Sequence, residues 1–187
     1  MEVLKGVLSK VFGTTDKNLA VTDCEGKDSV KEIAKDIIAL SSVSKHLKAV
    51  PIIIDADDDT PAKRAESLSN SIRTTTRFTN VDIFEISRDI FELRSREFRV
   101  KAFVKVVGDF SLPYERHTID DYVLRLLTLE GLVDERKIEG YNTAKDCINE
   151  FIESKGTTVK ELILNAQPEN VQKAFENIVK YLETVGI

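Results

Sequence analysis

Residues 50–59 of the chain read VPIIIDADDD and join an apolar run to an acidic turn. Val50 to Ile54 form a largely β-branched run without polar alternation, which is typical of a strand that is covered on both faces. This pattern predicts a central strand of a parallel sheet. Four of the next five residues, 55–59, are aspartates, and they lie where that strand ends.

The segments around this strand alternate between strand and helix patterns. Apolar runs and helical stripes follow one another at residues 19–24, 30–38, 50–54, 60–77, 81–86 and 98–107. Strands separated by helices predict an α/β fold with a mostly parallel, Rossmann-like sheet flanked by helices. The charged segment 87–97 fits either a hairpin continuation or a short helix.

Helical patterns also occur at both ends of the chain. Apolar residues recur at spacings of three and four from Val3 to Phe12, which predicts an amphipathic N-terminal helix that packs either on its own core or across a homodimer. From Thr118 onward the helical pattern returns. A length of 187 residues fits a single domain. We expect a core at about residues 16–113 and a helical C-terminal extension at about residues 117–187.

The composition excludes several classes of protein. With 42% hydrophobic and 32% charged residues, the chain is neither disordered nor collagen-like. No run approaches the roughly 18 apolar residues of a membrane span, and the first residues lack a signal-peptide pattern. We therefore expect a cytoplasmic protein without a membrane partner, in which Cys24 and Cys147 are reduced. The chain has two glutamines, which fits the depletion of thermolabile amides in thermophiles.

Acidic residues follow two of the predicted strands. Glu25-Gly26-Lys27-Asp28 comes after the strand at 19–24, and the acidic turn 55–59 comes after the next strand. Carboxyl ends of neighbouring parallel strands open into one crevice, so we expect Glu25, Asp55 and Asp57 to converge. Oxygen ligands without histidine or cysteine favour Mg²⁺, with Mn²⁺ as its substitute. Such a metal polarises a phosphoryl oxygen, and Lys27 adds a positive charge for a phosphate.

Together, these two acidic segments resemble the Toprim domain, over roughly Ala20 to Val107. Toprim domains occur in bacterial primases, topoisomerases, certain nucleases and small stand-alone proteins. The resemblance implies that Glu25 is a general acid or base, or a metal ligand. It also implies that Asp55 and Asp57 hold Mg²⁺, with Asp59 as the third acid of the longer motif. Many members have an acid four residues after the glutamate, where this chain has Ser29. Asp28 comes one position earlier, and it either takes that role or caps the following helix.

The segment from His117 to Tyr122 is similar to a helix-opening acidic motif in a group of stand-alone archaeal and bacterial Toprim-like proteins. Asp120 and Asp121 are additional candidates for metal or substrate contact. The alternative is that both belong to the helix start, with Asp121 completing a cap with Thr118. His117 is either a proton carrier or an exposed residue beside a turn.

A basic strip is predicted along the last strand of the core and the segment before it. The net charge of −5 argues against a protein that coats nucleic acid by charge alone, but eight of the ten arginines lie between Arg64 and Arg116. Alternate residues of a strand share a face. The strip is therefore expected either to bind a nucleic-acid backbone or to protect a solvated edge strand by its charge. It comprises Arg94, Arg96, Arg99, Lys101 and Lys105.

We hypothesise that the chain performs Mg²⁺-dependent phosphodiester chemistry on DNA or RNA, as a small Toprim-type nuclease. The alternative is a non-catalytic Toprim-like module that binds metal, nucleotide or a protein partner and acts as a regulatory or assembly subunit. A third alternative is an acidic phosphotransfer receiver, in which Lys105 would be the lysine at a strand end. The segment Glu25-Gly26-Lys27 is not the pattern of that class.

Overall fold

The computed structural model describes residues 2–13, 49–76, 80–96, 98 and 100–186. The predicted strand at 19–24 and the predicted helix at 30–38 lie outside these ranges, as do Glu25, Lys27, Asp28 and Arg99. In chain order the elements are α1 (Glu2–Phe12), β1 (Ala49–Asp55), α2 (Pro61–Thr76), β2 (Asp82–Ser87), β3 (Ile90–Arg94), β4 (Lys101–Val107), α3 (Asp120–Leu129), α4 (Glu135–Ile138), α5 (Ala144–Lys155), α6 (Val159–Asn165), α7 (Pro168–Ala174) and α8 (Glu176–Val185).

The chain divides into two compact units. The helical unit consists of residues 1–22 and 108–180, and the sheet unit consists of residues 23–107 and 181–187. Among the described residues, no helix is both long enough and apolar enough to cross a membrane.

The sheet unit confirms the α/β class but not a mostly parallel sheet among the described strands. The strand order is β1-β4-β3-β2, and β1 pairs with β4 in parallel. The other two described pairings, β2 with β3 and β3 with β4, are antiparallel. The reason is connection length, because parallel neighbours need a crossover of a dozen or more residues. The turn Arg88–Asp89 and the segment 95–100 are both much shorter.

One face of the sheet packs on α2 and forms the core of the sheet unit. The apolar residues of β4 alternate as predicted, with Ala102, Val104 and Val106 buried on this face. Helix α2 contributes the buried side chains of Ala65, Leu68 and Ile72 to the same cluster. Burying each of these larger side chains stabilises the fold by roughly 1.5–3 kcal/mol. Ile52 of β1 belongs to the same core, which therefore fixes β1 beside β4 and determines where the acidic turn begins.

Tyr181 links two strands within the sheet unit. Its hydroxyl accepts the backbone N–H of Ile52 at 3.1 Å and donates to the carbonyl of Phe103 at 2.8 Å. The side chain is fully buried, and burial raises the pKa of the hydroxyl far above its usual range. The hydroxyl therefore stays protonated and satisfies two backbone groups of β1 and β4.

The helical unit packs the N-terminal helix against the C-terminal helices. Helix α1 contacts α6 and α7, and a Cβ atom at Gly6 would lie 3.2 Å from the side chain of Ile163. Lys10 Nζ donates to the carbonyl of Leu164 at 2.8 Å. Of the two alternatives for the N-terminal helix, the structure shows packing on the chain's own helices.

Candidate functional site

The acidic turn lies at the carboxyl edge of a parallel strand pair. Asp55 is the last residue of β1, and its register partner is Val107, the last residue of β4. The N–H of Ala56 donates to the carbonyl of Val107 at 2.9 Å, which extends the pairing by one more bond. Loops that leave this edge of a parallel sheet are where α/β proteins place their ligands. Asp55 therefore lies where the sequence predicts it, at the carboxyl end of the strand.

Arg64 of α2 binds two residues of the acidic turn. Its Nη2 lies 2.9 Å from Asp57 Oδ2, and its Nε donates to the carbonyl of Asp55 at 2.9 Å. About a quarter of each side chain in the Arg64–Asp57 pair is exposed. One guanidinium therefore neutralises Asp57 and ties the turn to the first residues of the helix that follows it. Sequence reasoning did not identify Arg64. The available signal was its position in the first turn of a helix that directly follows four aspartates.

Asp57 has a backbone conformation that is uncommon for a residue with a side chain. Its φ of 55° lies in the left-handed region, where Asn and Asp are found more often than other non-glycine residues. The turn is closed by a bond from the N–H of Asp59 to the carbonyl of Ala56 at 3.1 Å. Residues in such conformations cluster at functional sites, where the surrounding structure holds them in place. The left-handed turn directs the chain from β1 into α2.

Asp58 and Asp59 are exposed members of the acidic turn. Asp59 lines an open groove of about 500 Å³ along α2, together with Lys63, Glu66 and polar side chains of the same helix. The predicted helix start is present, but the cap is weak, because the N–H of Lys63 lies 3.4 Å from the Thr60 hydroxyl oxygen.

The predicted metal ligands are only partly described by the structure. In the described ranges, no three histidine, cysteine, aspartate or glutamate side chains lie close enough together to hold a metal ion. Asp55, Asp57 and Asp59 therefore do not form a three-carboxylate site by themselves. Their oxygen atoms are the donor type that Mg²⁺ prefers, and Glu25, which the sequence predicts as a further ligand, lies outside the described residues.

The basic strip differs from the prediction at Lys105. Its side chain is only 2% exposed, and Nζ binds Asp89 Oδ2 at 2.5 Å. The predicted phosphate contact at Lys105 is therefore wrong in this structure, because a lysine buried on a sheet face requires a paired carboxylate. Arg94, Arg96 and Lys101 are exposed. Arg94 is already engaged, with a 2.6 Å bond to Glu92 and its guanidinium 4.2 Å from the ring centre of Phe84.

A second group of ionisable side chains lies in the helical unit, where His117 is hydrogen-bonded to Asp121. Nδ1 of His117 lies 3.0 Å from Asp121 Oδ2, which also accepts the N–H of Asp109 at 2.9 Å. The imidazole side chain is 8% exposed and Asp121 is fully buried. The alternative of an exposed His117 is therefore wrong. The predicted cap with Thr118 is formed only in part. The Thr118 backbone hydrogen-bonds the Asp121 carboxylate, as His117 and Asp109 do, but the Thr118 hydroxyl accepts the N–H of Asp120 and not that of Asp121.

The backbone at Gly108 fits closely against the Cβ atom and backbone of His117. Gly108 has a φ of +155°, and a Cβ atom there would lie 2.6 Å from His117 Cβ, so only glycine fits. Its carbonyl accepts the Tyr122 hydroxyl at 3.2 Å. The ring of Phe110 packs on the imidazole with centroids 4.6 Å apart. His117 is thus held on three sides, by Gly108, Phe110 and Asp121.

Burial raises the pKa of both aspartates at the start of α3. For Asp121, the cost of burying the charge outweighs its bonds to Asp109 and His117, which act in the opposite direction. For Asp120, burial again dominates, and Lys145 offsets part of the effect. In the described part of the chain, Oδ1 of Asp121 is buried and has no hydrogen-bond partner. Such an atom is uncommon and calls for an explanation.

Comparison with known proteins gives no match: no family model, no curated protein and no solved structure is significantly similar to this chain.

Proposed function

We propose that the acidic turn is a Mg²⁺ site that performs phosphodiester chemistry on nucleic acid, in the manner that the Toprim resemblance implies. The observation that carries the proposal is the position of Asp55 and Asp57 at the carboxyl edge of the parallel pair β1 and β4. Asp55 and Asp57 are the metal ligands, Glu25 completes the set as ligand or general base, and Lys27 and Asp59 assist.

Three features of the turn support this proposal. The buried core anchors β1, so the end of the strand is a rigid platform for ligands. The left-handed conformation at Asp57 is held in place by Arg64. Carboxylates without histidine or cysteine are the ligands of a hard cation that keeps waters and engages phosphates. A metal bound there would polarise a phosphoryl oxygen and lower the pKa of a bound water.

The nucleic-acid backbone would be contacted by the exposed part of the basic strip. Arg96 and Lys101 are exposed, and Arg94 is exposed although it pairs with Glu92. Lys105 is excluded from this role by its bond to Asp89. Because the strip is short, the predicted affinity depends on few phosphate contacts and falls only modestly with salt.

The second candidate is a non-catalytic module, and one observation favours it specifically. Arg64 already neutralises Asp57, so the turn has an internal cation at the position where a metal would bind. In that case the acidic turn has a structural role, and the negative charges of its aspartates stabilise the N-terminus of α2. The two candidates differ in whether metal binding and phosphodiester cleavage depend on Asp55 and Asp57.

The test is a cleavage assay of the full chain on single-stranded DNA, double-stranded DNA and RNA, with Mg²⁺ or Mn²⁺. We expect metal-dependent cleavage that Asp55→Asn and Asp57→Asn each reduce by at least a hundredfold. Asparagine tolerates the left-handed conformation of residue 57, so the second variant is expected to fold. Asp58→Asn is the matched control, because it removes the same charge from the same turn. The absence of cleavage by the folded wild type under every condition would favour the non-catalytic module.

A further inference from the structure

The His117–Asp121 pair has a geometry that fixes the proton position on the imidazole. With Asp121 ionised, its Oδ2 atom accepts a hydrogen bond only if Nδ1 of His117 carries the proton. The second nitrogen, Nε2, then has a free lone pair. Nε2 has no hydrogen-bond partner among the described residues. A carboxylate that orients an imidazole in this way is the arrangement by which proteins prepare a histidine base.

The surroundings of the pair indicate what kind of molecule the imidazole meets. Phe110 packs on the imidazole and is still 41% exposed, so it offers an aromatic face beside His117. Arg125 follows Asp121 by one turn of α3 and is 39% exposed, with Nη1 3.9 Å from an Asp109 carboxylate oxygen. An aromatic face beside the imidazole and a guanidinium one helical turn after Asp121 suit a ligand with a flat ring and an anionic group.

We propose that His117 is a general base for hydrolysis of phosphoesters that carry an aromatic group, as nucleotides do, with Asp121 as its positioning residue. This site lies within the helical unit and goes beyond the function proposed for the acidic turn. Nε2 takes a proton from water, and the water oxygen forms a bond to phosphorus. The bond from phosphorus to the leaving oxygen breaks, and the imidazolium returns the proton to that oxygen. No co-reactant other than water is needed.

Several charged and titratable groups face this pair and shape its pH dependence. The N–H of Asp109 donates to the Asp121 carboxylate. The carboxylate of Asp109 accepts the N–H of Ser111 and lies near the guanidinium of Arg125. The Tyr122 hydroxyl donates to the carbonyl of Gly108. Burial raises the pKa of Tyr114 to about 12, with smaller contributions from Cys147 and Asp121. Asp120 stands beside Asp121 in the first turn of α3.

The first test is hydrolysis of bis(4-nitrophenyl) phosphate and of a nucleoside 4-nitrophenyl phosphate by the full chain. We expect His117→Asn to lower kcat by about 10²–10⁴-fold, the usual contribution of a general base, with KM little changed. The acidic limb of the pH–rate profile should disappear in the same variant. Asp121→Asn should lower kcat as well. His46→Asn is the matched control, because it replaces the other histidine of the chain and should keep wild-type activity.

A second measurement keeps the proposal falsifiable if His117→Asn does not fold. In His46→Asn, His117 is the one histidine left in the sequence, and diethyl pyrocarbonate should inactivate this variant, with recovery on addition of hydroxylamine. Nitrogen NMR of the same variant should show the proton on Nδ1 and none on Nε2 at neutral pH. The proposal would be overturned if the variant treated with diethyl pyrocarbonate hydrolysed the substrates at its full rate. It would also be overturned if NMR showed the proton on Nε2.

The outcome is separable from that for the acidic turn. If the wild type does not hydrolyse either aryl phosphoester, the role of His117 is wrong, whether or not nucleic acid is cut. If hydrolysis of these substrates depends on His117 but Asp55→Asn and Asp57→Asn retain metal binding, the proposal for the acidic turn is wrong and the role of His117 stands.

Discussion

Arg64 and Asp57 form an ion pair with a separation of 2.9 Å between Nη2 and Oδ2, directly beside the end of strand β1. The same guanidinium also binds the carbonyl of Asp55. Arg64 therefore holds the acidic turn in the conformation in which its carboxylates lie at the carboxyl edge of the sheet. If that turn binds a metal, Arg64 competes with the metal for Asp57.

The first prediction concerns this competition. Arg64→Gln removes the positive charge and keeps a side-chain donor for the carbonyl of Asp55. A partly exposed ion pair contributes about 0.2–1 kcal/mol, so we expect Mn²⁺ to bind about 1.4- to fivefold more tightly in this variant. Isothermal titration of wild type and variant under the same conditions measures the difference. Weaker binding by the folded variant would mean that Arg64 is needed to position Asp57, and the competition would be refuted.

The buried pair of Lys105 and Asp89 leads to an asymmetric prediction. Lys105 is 2% exposed, whereas Asp89 is 30% exposed. Removing Asp89 leaves a buried ammonium without a partner, so Asp89→Ala should lower the free energy of unfolding by about 3 kcal/mol. Lys105→Met leaves a carboxylate that water can reach and should cost less than about 1 kcal/mol. Urea unfolding of both variants tests this order, and equal losses would contradict the burial of Lys105.

The hydroxyl of Tyr181 is predicted to stabilise the pairing of β1 with β4. Tyr181→Phe leaves the N–H of Ile52 and the carbonyl of Phe103 without their shared partner, which should cost about 1–3 kcal/mol. Tyr141→Phe is the matched control on a less buried tyrosine, with an expected change within about 0.5 kcal/mol. Thermal or denaturant unfolding of the two variants compares them. A loss in Tyr181→Phe no larger than that of the control would show that the hydroxyl does not link the strands.

Asp121 is predicted to make stability depend on pH in a direction that is unusual for an aspartate. Because burial raises its folded-state pKa above the unfolded value, the folded state binds the proton more tightly than the unfolded state does. The stabilising contribution is complete below the unfolded pKa of about 3.9. It is lost as pH rises through the folded pKa. The Asp121→Asn variant lacks this titration, so its stability relative to wild type should increase over that range.

Unfolding free energies of wild type and Asp121→Asn at several pH values between about 4 and 7 measure the effect. Asp134→Asn serves as the control, because Asp134 is a partly exposed aspartate that binds Arg136 at the surface. A difference between Asp121→Asn and wild type that stays constant with pH, or that changes in the opposite direction, would contradict the raised pKa.

Much of the sheet unit could be predicted from local sequence patterns. The apolar run at 50–54 and the start signal at Thr60-Pro61 correspond to β1 at Ala49–Asp55 and α2 at Pro61–Thr76. The alternation of apolar and basic residues in β4 also predicted that Ala102, Val104 and Val106 are buried. The direction of β2 and β3 was left open, because the segment 87–97 combines apolar and charged residues in an order that suits a helix as well as a hairpin. The structure shows the hairpin alternative, in which the two-residue turn Arg88–Asp89 makes the pairing antiparallel.

The candidate sites were predicted less completely, because they depend on contacts between residues distant in sequence. The strand-end position of Asp55 follows from the pattern, but the bond from Arg64 does not. Burial of His117 depends on Gly108 and Phe110, which precede it by nine and seven residues. Lys105 looked like a surface residue because its strand alternates, yet the face to which it belongs is covered at that position.

The most direct test of the metal site is a calorimetric titration of the full chain with Mn²⁺, in wild type, Asp55→Asn, Asp57→Asn and Asp58→Asn, with folding of each checked by circular dichroism. We predict saturable binding by wild type and Asp58→Asn, and at least tenfold weaker binding by the other two variants, equivalent to about 1.4 kcal/mol. Absence of saturable binding by the folded wild type, or an equal loss in Asp58→Asn, would contradict a metal site at the end of β1.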